Sequence, residues 1–294
     1  MPDLTITDLP RVRATRPQAI AEAASRRARR PLLGERGRMM IVAADHPARG
    51  ALGAGPNPMA MANRAELLER LSIALHRPGV DGVLGTPDVL EDLLLLGALE
   101  DKVVIGSMNR GGISGASFEL DDRFTGHRAT DIERLRFDAG KLLLRIDPDD
   151  AGSLETMTGA ARAVNALAER GLTAMVEPFL STRDSSGALR NDLSADAITR
   201  AIAIASGIGG TSAHTWLKVP VVDDLDEVGR VLASTTLPTV LLGGDPGPEP
   251  DTTYDRWRKA LQLPNVYGLV VGRTLLYPAD DDVAGAVDAA VDLL

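Results

Sequence analysis

Residues 39–47 read Met-Met-Ile-Val-Ala-Ala-Asp-His-Pro, an apolar run of six residues that stops at an aspartate and a histidine. A short apolar run bounded by a turn signal is typical of a buried strand in a parallel sheet. An open, doubly wound sheet usually carries a glycine-rich G-x-G-x-x-G turn after its first strand. Here Asp45-His46-Pro47 follows the run instead, which favours a closed barrel over an open sheet.

Seven more apolar runs follow along the chain, and helical patterns separate them. The runs are 80–84, 103–108, 142–146, 172–176, 214–219, 238–242 and 268–271. The helical patterns are 63–76, 87–97, 128–139, 152–169, 194–206, 223–233, 255–261 and 282–293. Alternating strands and helices indicate right-handed βαβ units. Eight such units predict an α/β fold, a single (β/α)8 TIM barrel over 39–294. Residues 1–38 are predicted as an N-terminal helical extension, with a helix over 17–30.

The composition narrows the function classes. The chain has 294 residues and a net charge of −9, which argues against a nucleic-acid or anionic-membrane binder. Cysteine is absent, so disulfides, thiolate metal ligands and cysteine nucleophiles are excluded. No apolar run reaches the roughly 18 residues of a membrane span, and the N-terminus lacks a secretory-signal pattern. We therefore expect a cytoplasmic protein.

Lys218 is the first candidate catalytic residue. In a TIM barrel the reacting groups lie at the C-terminal ends of the strands, and Lys218 lies inside the sixth apolar run, Thr215-Trp216-Leu217-Lys218-Val219. An ordinary lysine has a pKa of about 10.4. Desolvation and a neighbouring cation can lower it, and a neutral amine attacks a carbonyl to form a Schiff base. The alternative is a purely structural salt bridge with Glu177 or Asp45.

Glu177 and Asp45 are the candidate carboxylates. Glu177 closes the fifth apolar run and could act as a general acid or base, or only neutralise Lys218. Asp45 ends the first run and could bind substrate hydroxyls, move a proton or cap its loop. The four histidines have no H-x-H or H-E-x-x-H spacing, so we expect no metal and no cofactor. The remaining metal alternative is a magnesium site made by Asp45 and Glu177, as in a magnesium-dependent pyruvate-type aldolase.

A phosphate site is predicted at the loops after the seventh and eighth strands. These loops contain Gly243 and Gly244, and Gly272 and Arg273, which can offer backbone N–H groups and a guanidinium fork. Asp245 beside them would repel a phosphate.

Two further polar residues follow strands and are expected to bind substrate: Asn109 after the third strand and Arg145 in the fourth. Residues 108–127, the longest stretch without periodicity, come directly after the third strand and are expected to form an active-site loop.

Five segments together resemble the class I aldolase superfamily that includes deoxyribose-phosphate, tagatose-bisphosphate and archaeal-type fructose-bisphosphate aldolases. They are 41–46, 141–149, 176–178, 217–220 and 268–273. The resemblance implies that Lys218 is the Schiff-base lysine, Glu177 the proton shuttle and Asp45 a hydroxyl or proton contact. It implies that Lys141 is a second cation beside Lys218. It places a substrate phosphate at Arg273, Gly272, Gly243 and Gly244.

The resemblance also bounds the substrate. The fructose-bisphosphate branch has a tyrosine near the fifth strand, whereas this chain has Glu177-Pro178-Phe179, which favours the glutamate-using branch. The implied reaction is cleavage of a ketose phosphate or keto sugar-acid phosphate, for instance a phosphorylated deoxy-keto-gluconate of inositol catabolism. The alternatives are a Schiff-base transaldolase, a sugar-acid synthase and a non-catalytic sugar-phosphate-binding barrel. The expected partners are a small sugar phosphate and further copies of this chain, as a homo-oligomer.

Overall fold

The computed structural model describes residues 4–222, 224, 226–244 and 250–294, and it shows eight parallel strands closed into a TIM barrel. The strands are β1 Met39–Ala44, β2 Gly82–Gly85, β3 Val103–Ser107, β4 Ala139–Ile146, β5 Thr173–Arg183, β6 Leu189–Asn191, β7 Thr215–Val219, β8 Thr239–Leu242 and β9 Val266–Val271. Pairing runs in order from β1 to β5, then through β7, β8 and β9 back to β1. Strand β6 pairs antiparallel with the end of β5 and stands outside the barrel. The predicted fold is confirmed.

Helices cover the outside of the barrel. They are α1 Leu9–Thr15, α2 Ala19–Arg26, α3 Arg64–His76, α4 Pro87–Leu95, α5 Ala129–Arg134, α6 Gly152–Ala168, α7 Ala195–Ser206, α8 Val228–Leu232, α9 Pro250–Ala260, α10 Arg273–Leu276 and α11 Val283–Val291. Local capping sets several starts: Asn63 accepts hydrogen bonds from two backbone N–H groups of α3, and Ser194 accepts one from α7. Within the described ranges no helix is long and apolar enough to cross a membrane.

The N-terminal extension differs from the prediction of one helix over 17–30. It forms α1 and α2, with Pro17 between them, because proline has no N–H to continue a helix. The second helix ends at Arg26, where Arg27 turns inward and donates hydrogen bonds to the carbonyl oxygens of Lys102 and Arg136. The chain is thereby tied to the N-terminal end of the barrel.

The predicted helix over 128–139 is also too long. Helix α5 ends at Arg134, and β4 already begins at Ala139. Arg136 between them adopts a φ of 57°, a left-handed conformation that a helix cannot contain. The earlier start of β4 matters for the site, because it brings Lys141 into the strand.

The inside of the barrel is apolar toward its N-terminal end. Along β1, Met39, Ile41 and Ala43 belong to the inner cluster, while the intervening side chains pack on the surrounding helices. Leu32 and Leu33 of the N-terminal extension pack against this cluster. Successive strand residues point to opposite faces, so the same alternation continues to the C-terminal end, where the inward positions become polar.

Candidate active site

The alternation of strand residues places three charged side chains on the inner face of the barrel: Lys141 of β4, Glu177 of β5 and Lys218 of β7. Two positions earlier in each strand lies a residue that packs in or against the inner apolar cluster: Ala139, Met175 and Trp216. The charged residues thus form the next layer toward the barrel mouth. All three are buried.

Glu177 lies between the two lysines. Its Oε1 atom accepts a hydrogen bond of 2.5 Å from Lys218 Nζ, and its Oε2 atom forms an ion pair with Lys141 Nζ. Burial alone would raise the pKa of Glu177, but the charges of Lys141 and Lys218 outweigh it and lower the pKa to about 2. Glu177 is therefore a carboxylate at neutral pH.

Asp45 continues this network on the other side of Lys141. Its Oδ2 atom lies 3.1 Å from Lys141 Nζ and 2.8 Å from Arg110 Nη2, and it accepts a hydrogen bond of 3.1 Å from Ser107 Oγ. Burial would raise the pKa of Asp45, but Arg110 and Lys141 hold it well below its usual range. Three cations and two carboxylates therefore alternate from Arg110 to Lys218.

Lys141 is the most enclosed cation of this network. Burial lowers its pKa, and the attraction of Asp45 and Glu177 offsets only part of that effect, because Arg110 and Lys218 repel its charge. Lys141 precedes the apolar run 142–146 in the sequence, yet it lies within β4, because this strand begins two residues earlier. Lys141 is level with Ser107 of β3 and Met175 of β5.

A cavity of about 550 Å³ opens above this layer, a volume in the range of small-molecule sites. Nine of the ten predicted site residues line it: Asp45, Lys141, Arg145, Glu177, Lys218, Gly243, Gly244, Gly272 and Arg273. Lys218 therefore has both a carboxylate partner and adjacent space for a ligand.

Asn109 is the exception, and its predicted role in substrate binding needs correction. It is fully buried and does not line the cavity. Its side chain donates to the carbonyl oxygen of Leu143 at 2.5 Å and accepts from the N–H of Leu143 at 2.8 Å. It also donates to Asp122. Asn109 thus completes the hydrogen bonding between the end of β3 and β4.

The loop 108–127 folds over the barrel mouth, as expected for an active-site loop. Its residues Arg110, Ser114 and Glu119 line the cavity. Glu119 pairs with Arg145, whose Nη1 atom lies 2.6 Å from its Oε1. Asp122 forms an ion pair with Arg49, which also donates a hydrogen bond to the carbonyl oxygen of Gly112.

Sequence reasoning missed several lining residues. Arg110 had a weak signal, since it lies two residues after the end of the third apolar run, whereas Arg49 and Glu119 had none. His46 was not among the candidate site residues, but it lines the cavity and its Nδ1 atom is buried with no hydrogen-bond partner in the described structure. Burial outweighs the attraction of Asp45 and lowers the pKa of His46 to about 3, so the imidazole is neutral.

The glycines of the predicted phosphate loops are required by packing. A Cβ atom at Gly272 would lie 2.4 Å from the carbonyl oxygen of Ala43, and one at Gly243 would lie 2.4 Å from Val271 Cγ1. Gly244 has a φ of 74°, which favours glycine. Asp245, which the sequence flagged beside these loops, lies outside the described residues.

The cavity is electropositive although the protein is acidic. Of the lining residues that the structure describes, seven are arginine or lysine and three are aspartate or glutamate. This excess favours an anionic ligand. Asp45 and Glu177, the suggested magnesium pair, flank Lys141, which contacts both. The described residues contain no group of three or more acids and histidines placed to hold a metal ion.

Comparison with known proteins gives a family and a fold. The model of the Cgl0159-like family matches residues 37–291. The crystal structure of Cgl0159 from Corynebacterium glutamicum is 54% identical, with a TM-score of 0.94 over 98% of this chain and 95% of that one. No curated protein matches the sequence.

More distant structures share the barrel. An archaeal fructose-1,6-bisphosphate aldolase, solved with its catalytic lysine bound covalently to a carbinolamine of the substrate, has a TM-score of 0.67 at 17% identity over 93% of this chain and 98% of that one. A fructose-bisphosphate aldolase from Slackia heliotrinireducens has a TM-score of 0.59 at 14% identity over 87% and 85%. At these identities the likeness shows the fold.

Proposed function

The chain belongs to the Cgl0159-like family, and from this premise and the geometry of the cavity we propose that it is a class I aldolase, a lyase that cleaves a carbon–carbon bond through a Schiff base on Lys218. The substrate class is a ketose phosphate or a keto sugar-acid phosphate. The shared fold with Schiff-base aldolases supports the reaction type.

One observation carries the proposal. Lys218 Nζ is buried at the floor of a cavity of about 550 Å³ and lies 2.5 Å from a carboxylate that a second lysine also contacts. A purely structural salt bridge would need neither the adjacent cavity nor the second buried amine. Two ammonium groups that share one carboxylate repel each other, which favours the loss of a proton from one of them.

The proposed reaction begins with Lys218. Its neutral amine adds to the ketone carbon, and loss of water from the carbinolamine leaves an iminium ion. A base then removes the proton from the hydroxyl group two carbons away. The carbon–carbon bond breaks, its electron pair enters the iminium to form an enamine, and an aldehyde leaves. Protonation of the enamine carbon and hydrolysis of the new iminium return the amine and release the second carbonyl product.

Glu177 is placed to move the protons of this sequence. Its Oε1 atom already accepts a hydrogen bond from the reacting nitrogen. Its low pKa arises from two neighbouring ammonium groups, so the carboxylate becomes a stronger base whenever Lys218 loses its charge. Asp45, linked to Glu177 through Lys141, would contact a substrate hydroxyl or the departing proton.

The phosphate is assigned to the β8 and β9 ends of the barrel. Gly243, Gly244 and Gly272 bring the backbone to the cavity, and the Arg273 side chain lines it. Among sugar acids of this class, a phosphorylated deoxy-keto-gluconate of inositol catabolism is a specific candidate. A transaldolase or sugar-acid synthase would use the same Schiff base, and analysis of the products separates these reactions.

Borohydride trapping tests the proposal. The protein is incubated with ketose phosphates and keto sugar-acid phosphates, reduced, digested and examined by peptide mass spectrometry. We expect a stable adduct on Lys218 with at least one substrate that is also cleaved. Modification at another residue, or turnover without any reducible adduct, would contradict the Schiff-base mechanism. The exposed lysine variant Lys259→Met, which loses only a surface pair with Asp226, is the control.

A further inference from the structure

The wall of the cavity formed by β4 and β5 changes character toward the mouth. Leu143 and Phe179 line it directly above the charged layer, and Arg145 follows. Along β4 the cavity-lining positions after Lys141 are Leu143 and then Arg145, and along β5 the position after Glu177 is Phe179. A ligand that extends from Lys218 along this wall therefore meets apolar side chains first and a guanidinium group next.

Arg145 is occupied by a carboxylate of the same chain. Its Nη1 atom donates to Glu119 Oε1 at 2.6 Å, and its Nη2 atom donates to the Glu119 carbonyl oxygen at 3.2 Å. Its buried Nε atom has no hydrogen-bond partner among the described residues. The guanidinium fork matches a carboxylate well. Glu119 belongs to the loop over the mouth and also lines the cavity.

The balance of charge favours a carboxylate over a phosphate at this position. The neighbouring cation, Arg49, is already engaged by Asp122 and by backbone carbonyl oxygens. A dianionic phosphate would face the carboxylate of Glu119 with one guanidinium, that of Arg145, available to it. A single carboxylate that takes the place of the Glu119 carboxylate leaves the local charge unchanged.

We propose that Arg145 binds a carboxylate of the substrate, that Glu119 fills this position in the empty enzyme, and that Leu143 and Phe179 contact a carbon without a hydroxyl group next to that carboxylate. A hydroxyl group there would lose its hydrogen bonds to water and find none on the two apolar side chains. The inference rests on the proposed function and specifies the substrate as a phosphorylated keto sugar acid. Its phosphate lies toward Arg273, its ketone at Lys218 and its carboxylate at Arg145.

Direct binding tests the subsite without any chemistry at Lys218. The probe is 3-hydroxypropanoate, a three-carbon acid with a methylene next to its carboxylate, titrated calorimetrically into wild type and variants. We expect Glu119→Gln to bind the probe about tenfold more tightly than wild type, because the competing charge is removed. We expect Arg145→Gln to lose binding by at least about the same factor.

Arg183→Gln is the matched control. Arg183 anchors the same loop from outside, through the carbonyl oxygen of Ser117 and a pair with Asp150, and it does not line the cavity. We expect it to bind the probe like wild type. Weaker or unchanged binding in Glu119→Gln, or unchanged binding in Arg145→Gln, would overturn the subsite. Tighter binding in Arg183→Gln would assign the effect to loop mobility and overturn the role of Glu119.

Kinetics then separate the subsite from the reaction. In the direction of synthesis, with dihydroxyacetone phosphate as donor, we expect wild type to prefer 3-oxopropanoate over glyceraldehyde as acceptor by at least about tenfold in kcat/KM. Arg145→Gln should lose this preference and keep borohydride trapping at Lys218. If wild type is trapped at Lys218 but does not prefer 3-oxopropanoate over glyceraldehyde, the subsite is refuted and the proposed function is not. Absence of trapping refutes the proposed function, and the titration with 3-hydroxypropanoate still decides the subsite.

Discussion

Glu177 Oε1 lies 2.5 Å from Lys218 Nζ, and the second oxygen of the same carboxylate contacts Lys141. One buried carboxylate thus contacts two buried amines. Asp45 contacts Lys141 and Arg110, so the whole network contains three cations and two anions. Such a layer favours an arrangement in which one amine is neutral or becomes part of a substrate-derived cation.

Replacing Lys218 should abolish covalent chemistry and leave the fold intact. Lys218→Met keeps the length and apolar stem of the side chain, and Glu177 retains its contact with Lys141. We expect no borohydride adduct and a loss of turnover by at least about a thousandfold. Circular dichroism and thermal unfolding provide the check on folding. An adduct on Lys141 in this variant would transfer the nucleophilic role to that residue.

Lys141→Met should change the pH dependence of trapping rather than remove it. The substitution deletes a buried cation whose charge repels that of Lys218. We therefore expect adduct formation at Lys218 to become about tenfold or more slower at pH 7 and to be less affected at pH 10, where even an ordinary lysine is partly neutral. The rate of adduct formation in wild type and Lys141→Met, measured from pH 6 to pH 10, tests this expectation. An unchanged profile would reduce Lys141 to a structural ion-pair partner.

Much of this layer was predictable because Asp45, Glu177 and Lys218 lie at or near the C-terminal ends of apolar runs. Lys218 and Glu177 follow two residues after inward-facing Trp216 and Met175, so strand alternation alone aims them into the barrel. Asn109 shows the limit of that argument. A polar residue after a strand can face the cavity or complete the hydrogen bonds of the next strand, and only the position of Leu143 decides between them.

Long-range contacts account for most of the other misses. The fifth strand was expected to end at 176, before Pro178, yet β5 continues to Arg183 because β4 pairs with it as far as Leu180 and β6 pairs with its end. Proline removes one donor from a strand but does not prevent pairing through its carbonyl group. The ion pair of Glu119 with Arg145 joins residues 26 positions apart, and no local pattern signals it.

The stability of the protein should depend on Glu177 at acid pH. Its pKa is about 2 in the folded chain against an ordinary value of 4.5, so the unfolded chain binds more protons between these values. The stabilisation, about 3 kcal/mol by linkage, is complete above pH 4.5 and is lost as the pH falls through 2. Urea unfolding of wild type and Glu177→Gln at pH 6 and pH 3 measures it. We expect wild type to lose about 2 kcal/mol more than the variant over this interval.

Asn109→Ala should affect stability and spare ligand binding. It leaves the buried N–H and C=O groups of Leu143 without their side-chain partners, which costs about 2–4 kcal/mol of unfolding free energy. Because Asn109 does not line the cavity, KM should change by less than about threefold. A stable variant with a strongly raised KM would restore the substrate-binding role expected from its position after the third strand.

Gly272→Ala should damage the proposed phosphate end of the cavity through the backbone. The added Cβ atom would lie 2.4 Å from the carbonyl oxygen of Ala43 and 3.2 Å from His46 Cε1, and a backbone oxygen cannot rotate away as a side chain can. The β1 and β9 ends must separate, which we expect to cost about 1–3 kcal/mol of stability. KM for a phosphorylated substrate should rise, while trapping with an unphosphorylated ketone changes less.

Gly229→Ala is the matched control, since nothing lies within 4 Å of its Cβ position in α8 and alanine favours the helix. Equal stability of the two variants would show that the β1 and β9 ends tolerate the methyl group, and that backbone approach at Gly272 does not shape the site.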